Sequence, residues 1–153
     1  MELAHLYLSK EHNYFGHHGK PAGSAPMEEV ERVHCVAGKG IEGDRFFDWK
    51  EDYKGQVTFF AMETLERLEQ ELGIAGKPPS VFRRNIVTRG VDLNDWIGQE
   101  FEIQGVRFFG TEEAKPCYWM DQAFGPGAEQ ALRGRGGLRA KVLSDGWLTR
   151  GAA

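Results

Sequence analysis

Residues 110–121 read Gly-Thr-Glu-Glu-Ala-Lys-Pro-Cys-Tyr-Trp-Met-Asp and contain one of the two cysteines of the chain. This stretch comes directly after a segment with a β-hairpin pattern, so the chain is predicted to leave the end of a strand here. Pro116 lacks a backbone N–H and fixes φ, which favours a turn at Cys117. With Lys115 beside it, the thiol is a candidate reactive thiolate or metal ligand. A small buried cysteine, packed under the aromatic pair that follows, fits the same stretch equally well.

Size and composition predict one domain spanning residues 1–153, with enough chain for a real core. The 20 glycines and the scarcity of helical patterns favour short strands joined by tight turns. The net charge of −4 gives no general nucleic-acid footprint, and two distant cysteines make no disulfide framework. The N-terminus lacks signal-peptide features, and no apolar run approaches the ~20 residues of a membrane span. These features predict a cytoplasmic protein with reduced thiols and neither a nucleic-acid nor a membrane partner.

Hydrophobic periodicity predicts seven or eight strands and two helices. Ala61, Leu65, Leu68 and Leu72 share one face of the main helix, which Gly73 is suited to end. The other predicted elements are strands at 3–8, 30–37, 56–60 and 81–90, hairpins at 101–109 and 138–150, and a short second helix at 128–133. This set predicts a mostly β fold with α+β character, arranged as a small closed or partly open β-barrel.

A long polar segment, residues 9–26, contains His12, His17 and His18. Histidines in a loop of this length suggest metal binding or acid–base chemistry. No cysteine or carboxylate nearby completes a zinc-ligand spacing, so an exposed polar loop is the favoured interpretation. Cys35 lies among apolar residues and is predicted to be structural.

Residues 38–46 contain three glycines in six positions, which indicates unusual φ values or a close backbone approach. The glycine spacing matches neither a phosphate-binding Walker loop nor a dinucleotide fingerprint. Asp44 and Arg45 are therefore predicted either to orient a neighbouring group or an anionic ligand, or to close the turn on each other.

Arginines form two clusters that suit anion binding. Arg83 and Arg84 precede Asn85 on a predicted strand, where adjacent side chains face opposite sides, so at most one would enter a given pocket. The second cluster follows the short helix and consists of Arg133, Arg135 and Arg139. It is predicted either to form an anion-binding rim or to be a solvated loop.

Four motifs, taken in order, resemble those of the MOSC domain family, the C-terminal domains of molybdenum cofactor sulfurases. They are Gly40-Ile41-Glu42-Gly43-Asp44-Arg45; Arg84-Asn85-Ile86-Val87 with Gly90-Val91-Asp92-Leu93; Lys115-Pro116-Cys117; and Gly137-Leu138-Arg139-Ala140-Lys141-Val142 with Gly146-Trp147. The chain is similar to the stand-alone bacterial members. The family also includes long sulfurases with a pyridoxal-phosphate domain, which this chain does not resemble.

The resemblance implies a β-barrel pocket for the molybdenum cofactor (molybdopterin), or for sulfur destined for it. Cys117 would be the working residue, either as a persulfide carrier or as a molybdenum ligand. Asp44, Arg84 and Asn85 would support the pocket, and the second arginine cluster adds cofactor-binding candidates by charge alone.

The implied activities are sulfur transfer, with a cysteine-desulfurase-like persulfide donor, or molybdenum-dependent reduction of N-hydroxylated compounds with an electron-transfer partner. A non-catalytic barrel that binds a small anion is the alternative from a different class.

Overall fold

The computed structural model describes residues 1–13, 20–21 and 23–153 and shows a mostly β protein with three α-helices. His17 and His18 lie outside the described residues. The strands are β1 (Glu2–Leu8), β2 (Glu28–Val30), β3 (Arg32–Val36), β4 (Gly40–Ile41), β5 (Val57–Ala61), β6 (Ile86–Arg89), β7 (Glu100–Ile103), β8 (Val106–Glu113), β9 (Leu138–Val142), β10 (Gly146–Thr149) and β11 (Gly151–Ala152). The helices are α1 (Met62–Leu72), α2 (Trp119–Ala123) and α3 (Ala128–Leu132), with 3₁₀ turns at Pro79–Phe82 and Leu93–Trp96.

The strands form one large mixed sheet and one small antiparallel sheet. The large sheet has the order β11-β1-β6-β5-β9-β8-β7, with β2 also paired to β1, and β5 and β6 run parallel. The small sheet has the order β10-β3-β4. No described pairing joins the edge strands β11 and β7, so the closed barrel stays a prediction while the mostly β class is confirmed.

Two hydrophobic cores lie on opposite faces of β5, whose residues 57–60 are all buried. Phe59 belongs to the core between the two sheets, which also contains Cys35 and Phe108. Phe60 belongs to the second core, formed with α1, α3 and Phe82. Because both faces are covered, successive residues of the strand are buried rather than alternately buried and exposed, and they include the polar Thr58.

Helix α1 confirms the periodicity-based prediction. Leu65 and Leu68 are buried on its inner face, and Gly73 follows it with φ of 66°. A left-handed residue at this position ends the helix, and glycine adopts it without a Cβ clash. None of the helices in the described part of the chain has the length and apolar character that crossing a membrane requires.

The structure corrects three element predictions. Residues 79–82 form a 3₁₀ turn and Arg83 has φ of 56°, so the predicted strand at 81–90 begins only at Ile86. Strands β9 and β10 exist but do not form a hairpin, because β10 pairs with β3 and β9 lies between β5 and β8. The described part of the chain contains three helices rather than two, and the unpredicted α2 directly follows the cysteine turn.

Candidate functional site

Cys117 lies on a short loop between β8 and α2, and its side chain is exposed. Its carbonyl oxygen accepts a hydrogen bond from the Met120 N–H at 2.9 Å, in the turn that starts α2. At the other end of the loop, the Ala114 N–H donates to the Gly137 carbonyl at 2.9 Å. The thiol is therefore held on a turn after a strand, as predicted, and is not packed away.

The thiol lines a cavity of about 370 Å³, here called the cysteine cavity. Ligand pockets commonly have volumes of about 300 to 1,000 Å³. Among the described residues, five cationic side chains and no carboxylate line the cavity: Arg45, Arg83, Arg84, Lys115 and Arg139. Such a lining favours a small anion.

Arg84 is held in the wall of the cysteine cavity by backbone carbonyls. Its guanidinium donates to the oxygens of Phe82, Ala114 and Gly136 at 3.1 to 3.2 Å. Among the described residues it forms no ion pair with a carboxylate. The planar fork is therefore fixed in place, and no carboxylate of the described residues is directly bonded to it.

The surroundings of Arg84 shift the pKa of its guanidinium group. Burial lowers the pKa of Arg84 to about 10, and repulsion from Arg139 and Arg45 adds to the effect. Attraction to the Cys117 thiolate, and then to Glu113, acts in the opposite direction. A buried cation that lacks a carboxylate partner is stabilised by any anion bound beside it.

Asp44 and Arg45 contact each other and also brace the cavity. The Asp44 carboxylate accepts from Arg45 at 3.1 Å and from the backbone N–H of Ser9 at 3.1 Å. Arg45 then donates to the Arg83 carbonyl at 2.9 Å. Burial lowers the pKa of Arg45, and Asp44 opposes that shift. Asp44 thus does not line the cavity but orients an arginine that does.

Asn85 is fully buried and does not line the cavity. Its side-chain oxygen accepts from the backbone N–H and the hydroxyl of Thr58, both at 3.1 Å. Its amide nitrogen donates to the Tyr7 carbonyl at 3.3 Å. Asn85 therefore ties β5 to β1 behind the cavity, one position before β6 begins.

The second arginine cluster is divided by the fold. Arg139 lines the cysteine cavity and pairs with Glu112 at 3.3 Å. Arg133 and Arg135 line a different cavity, and Arg135 pairs with Glu71 at 3.2 Å. The three arginines thus do not form a single rim, because the chain enters β9 between the second and the third.

The structure adds cavity residues that sequence reasoning did not assign to the site. His12 lies at the cavity with its ring 4.8 Å from that of Phe46, and burial followed by Arg45 lowers the pKa of His12. Arg83 reaches the cavity from a left-handed backbone position and donates to Ser9 Oγ at 2.8 Å. The position of Arg83 next to Arg84 could have indicated a role in the site. The assumption of a regular strand, however, allowed only one of these two side chains to enter the pocket.

Within residues 1–13, 20–21 and 23–153, no group of three or more His, Cys, Asp or Glu side chains is placed to hold a metal ion. From the polar segment at residues 9–26, His12 and Asn13 line the described part of the site.

Comparison with solved structures identifies the fold. The YUAD protein from Bacillus subtilis shares 14% identity and a TM-score of 0.77, over 98% of this chain and 91% of that chain. YiiM from Geobacillus stearothermophilus shares 16% identity and a TM-score of 0.69, over 99% and 72% of the two chains. YiiM from Escherichia coli shares 16% identity and a TM-score of 0.62, over 97% and 70%. At identities this low, the comparison shows that the fold is shared and carries no information about function.

Two sequence comparisons complete the assignment. No curated protein matches the sequence at a significant level. The model of the MOSC domain matches residues 16–153, which include all four motifs described above. This chain belongs to the MOSC domain family.

Proposed function

We propose that this MOSC domain binds a molybdenum cofactor, or carries sulfur for one, through Cys117. MOSC domains are generally linked to molybdenum cofactor binding. The observation that supports the proposal is the exposed Cys117 thiol on a cavity of about 370 Å³, whose described lining has five cations and no carboxylate. An inert packing cysteine requires none of these features.

The residues present fit the cofactor chemically. A bound cofactor would supply molybdenum, a soft metal for which thiolate is a suitable ligand. Cys117 would be that ligand, while Arg84 and Lys115 would face the negative charge of the pterin phosphate. Arg84 suits this role because its fork is already held by three carbonyl groups and is not neutralised by a carboxylate.

The sulfur-carrier form of the proposal requires a persulfide donor of the cysteine desulfurase type. The Cys117 thiolate attacks the outer sulfur of the donor persulfide. A new S–S bond forms on Cys117, the donor S–S bond breaks, and the donor cysteine leaves as a thiolate. The electrons balance without an external oxidant, and the cationic lining stabilises the persulfide anion on Cys117.

The test compares molybdenum and sulfane sulfur in proteins purified from the native host. The wild-type protein is expected to contain one or both, and Cys117→Ser is expected to lose them while keeping its circular dichroism spectrum. Because the side chain is exposed, the substitution disturbs little packing. Inductively coupled plasma mass spectrometry measures the metal, and cyanolysis measures the sulfur.

Cys35→Ala provides the matched control, because Cys35 is buried away from the cavity. It is expected to retain the wild-type content. Full retention of molybdenum or sulfane sulfur by Cys117→Ser would overturn the proposal and leave a cavity that binds a small anion without the thiol.

A further inference from the structure

A second cavity, of about 600 Å³, lies between the start of α1, the turn after β6 and the loop after α3. We call it the α1 cavity. It shares no lining residue with the cysteine cavity. Its charged lining side chains are Glu63, Arg67, Asp92, Arg133 and Arg135. The proposed role of Cys117 therefore makes no use of it.

Two arginines in this lining differ from the other arginines of the chain. Arg135 pairs with Glu71 at 3.2 Å, but Arg67 and Arg133 have no described hydrogen bond, ion pair or ring contact through their side chains. Arg67 comes from α1 and Arg133 from the loop after α3, so they approach the cavity from two elements. Two unpaired guanidinium groups on one concave surface are a suitable site for phosphate or carboxylate.

Hydrogen bonds hold the wall of the cavity between these two arginines in place. Asn94 donates from its side chain to the Gly134 carbonyl at 2.8 Å, which ties the turn after β6 to the loop that carries Arg133. The Asp92 carboxylate accepts from the Asn94 N–H at 3.0 Å and is thereby satisfied. The cavity shape is thus maintained by contacts that do not involve Arg67 or Arg133.

Glu63 adds a hydrogen-bond acceptor in the same cavity. Its Oε2 accepts from the Gly90 N–H at 2.7 Å. Its Oε1 is buried and has no hydrogen-bond partner among the described residues. Buried carboxylate oxygens are rarely left unsatisfied. A water molecule or an N–H donor of a ligand would satisfy Oε1.

We propose that the α1 cavity binds a small phosphorylated compound that also carries N–H donors, the chemistry of a nucleoside monophosphate. The phosphate contacts Arg67 and Arg133, and an N–H group of the ligand donates to Glu63 Oε1. Helix α1 begins at this cavity without a side-chain cap, so its first N–H groups also favour the phosphate. The volume exceeds what a free inorganic anion needs, which favours an organic phosphate.

The test is a titration of the ¹⁵N-labelled protein followed by amide chemical shifts. GMP is the probe, and ribose 5-phosphate and guanosine are its two halves. GMP is expected to shift the amides of Gly90 and Gly134 saturably, and to bind more tightly than either half. The double variant Arg67→Ala/Arg133→Ala is expected to weaken GMP binding at least about tenfold, because two charge-assisted contacts are lost. Glu63→Gln keeps an acceptor for Gly90 and is expected to weaken GMP but not ribose 5-phosphate.

The double variant Arg107→Ala/Arg150→Ala is the control for general electrostatics, since both arginines are exposed, lie outside both cavities and remove the same two positive charges. It is expected to bind GMP as the wild type does. Cys117→Ser is also expected to bind GMP normally, which separates this inference from the proposed function. The inference is wrong if GMP shifts no amide at this cavity, if guanosine or ribose 5-phosphate binds as tightly as GMP, or if Arg67→Ala/Arg133→Ala binds like wild type.

Discussion

Among single residues, the two cysteines show how position decides chemistry. Cys35 is buried in the core between the sheets, and burial raises the pKa of its thiol to about 12. Cys117 is exposed on a cationic cavity. The sequence was sufficient to predict Cys35 as structural, because apolar residues flank it. It left Cys117 open, because the cations that surround the thiol come from distant parts of the chain.

Arg84 is a cation that interacts electrostatically with Cys117. Replacing it with methionine removes a cation that attracts the thiolate, while roughly keeping the length of the side chain. The rate at which iodoacetamide alkylates Cys117 at neutral pH is therefore expected to fall several-fold in Arg84→Met. Mass spectrometry of the labelled peptide measures that rate for Cys117 alone.

Arg107→Met is the control, since Arg107 lies outside the cysteine cavity. It should react at the wild-type rate. An unchanged rate in Arg84→Met would mean that Arg84 supports the loop through its carbonyl contacts only. The comparison is made on folded protein, because the substitution also removes the donors for three carbonyl groups.

At the scale of the elements, local sequence patterns predicted where strands and helices occur better than they predicted which strands pair. The buried apolar face of α1 and the hairpin of β7 and β8 were predictable, because both depend on residues that are close in sequence. The pairing of β10 with β3 was not, because both candidate partners of β10 have acceptable strand patterns and only the tertiary fold selects one. The left-handed turn at Arg83 was also missed, because residues 81–90 have an acceptable strand pattern. Without that turn, the sequence did not predict that Arg83 and Arg84 would line the same cavity.

The cysteine loop depends on a close approach by the segment before β9. A Cβ on Gly136 would lie 2.4 Å from the Ala114 carbonyl oxygen and 2.8 Å from Pro116 Cδ. Gly136→Ala is therefore expected to displace the loop, to lower the free energy of unfolding by about 1 to 3 kcal/mol, and to change the alkylation rate of Cys117.

Gly73→Ala gives the matched comparison for this glycine. Its Cβ would meet no atom within 4 Å, so only the φ of +66° opposes the substitution. It is expected to lower the free energy of unfolding by about 1 kcal/mol and to leave the alkylation of Cys117 unchanged. Urea unfolding and the labelling assay together separate loop displacement from general destabilisation. Equal alkylation in both variants would contradict a positioning role for Gly136.

For the whole molecule, two cores on either side of β5 place the two cavities at separate surfaces. The mostly β class and the MOSC family were predictable from ordered motifs, because those motifs coincide with the turns that the fold requires. The strand order and the division of the arginines between cavities were not predictable, since they follow from pairings between distant segments.

The buried thiol of Cys35 also makes global stability depend on alkaline pH. Its pKa is raised from 9.0 to about 12 by burial. The unfolded chain therefore loses this proton near pH 9.0, while the folded protein keeps it until about pH 12. The stabilisation is fully present below pH 9.0 and is lost as the pH rises from there to about 12.

Because Cys35 has the lowest ordinary pKa among Cys35, Tyr7 and Arg84, comparison with a Cys35 variant from pH 9.0 to 10.0 reports its contribution. Tyr7 adds a loss of the same sign only above its ordinary pKa of 10.0, and deprotonation of Arg84 near pH 10 acts in the opposite direction. Urea unfolding should show the free energy of unfolding falling by about 1 kcal/mol across that interval in the wild type. Cys35→Val, which keeps an apolar side chain in the core, should show a smaller decrease. An equal slope in both proteins would mean that the loss comes from other groups and that the buried thiol does not govern it.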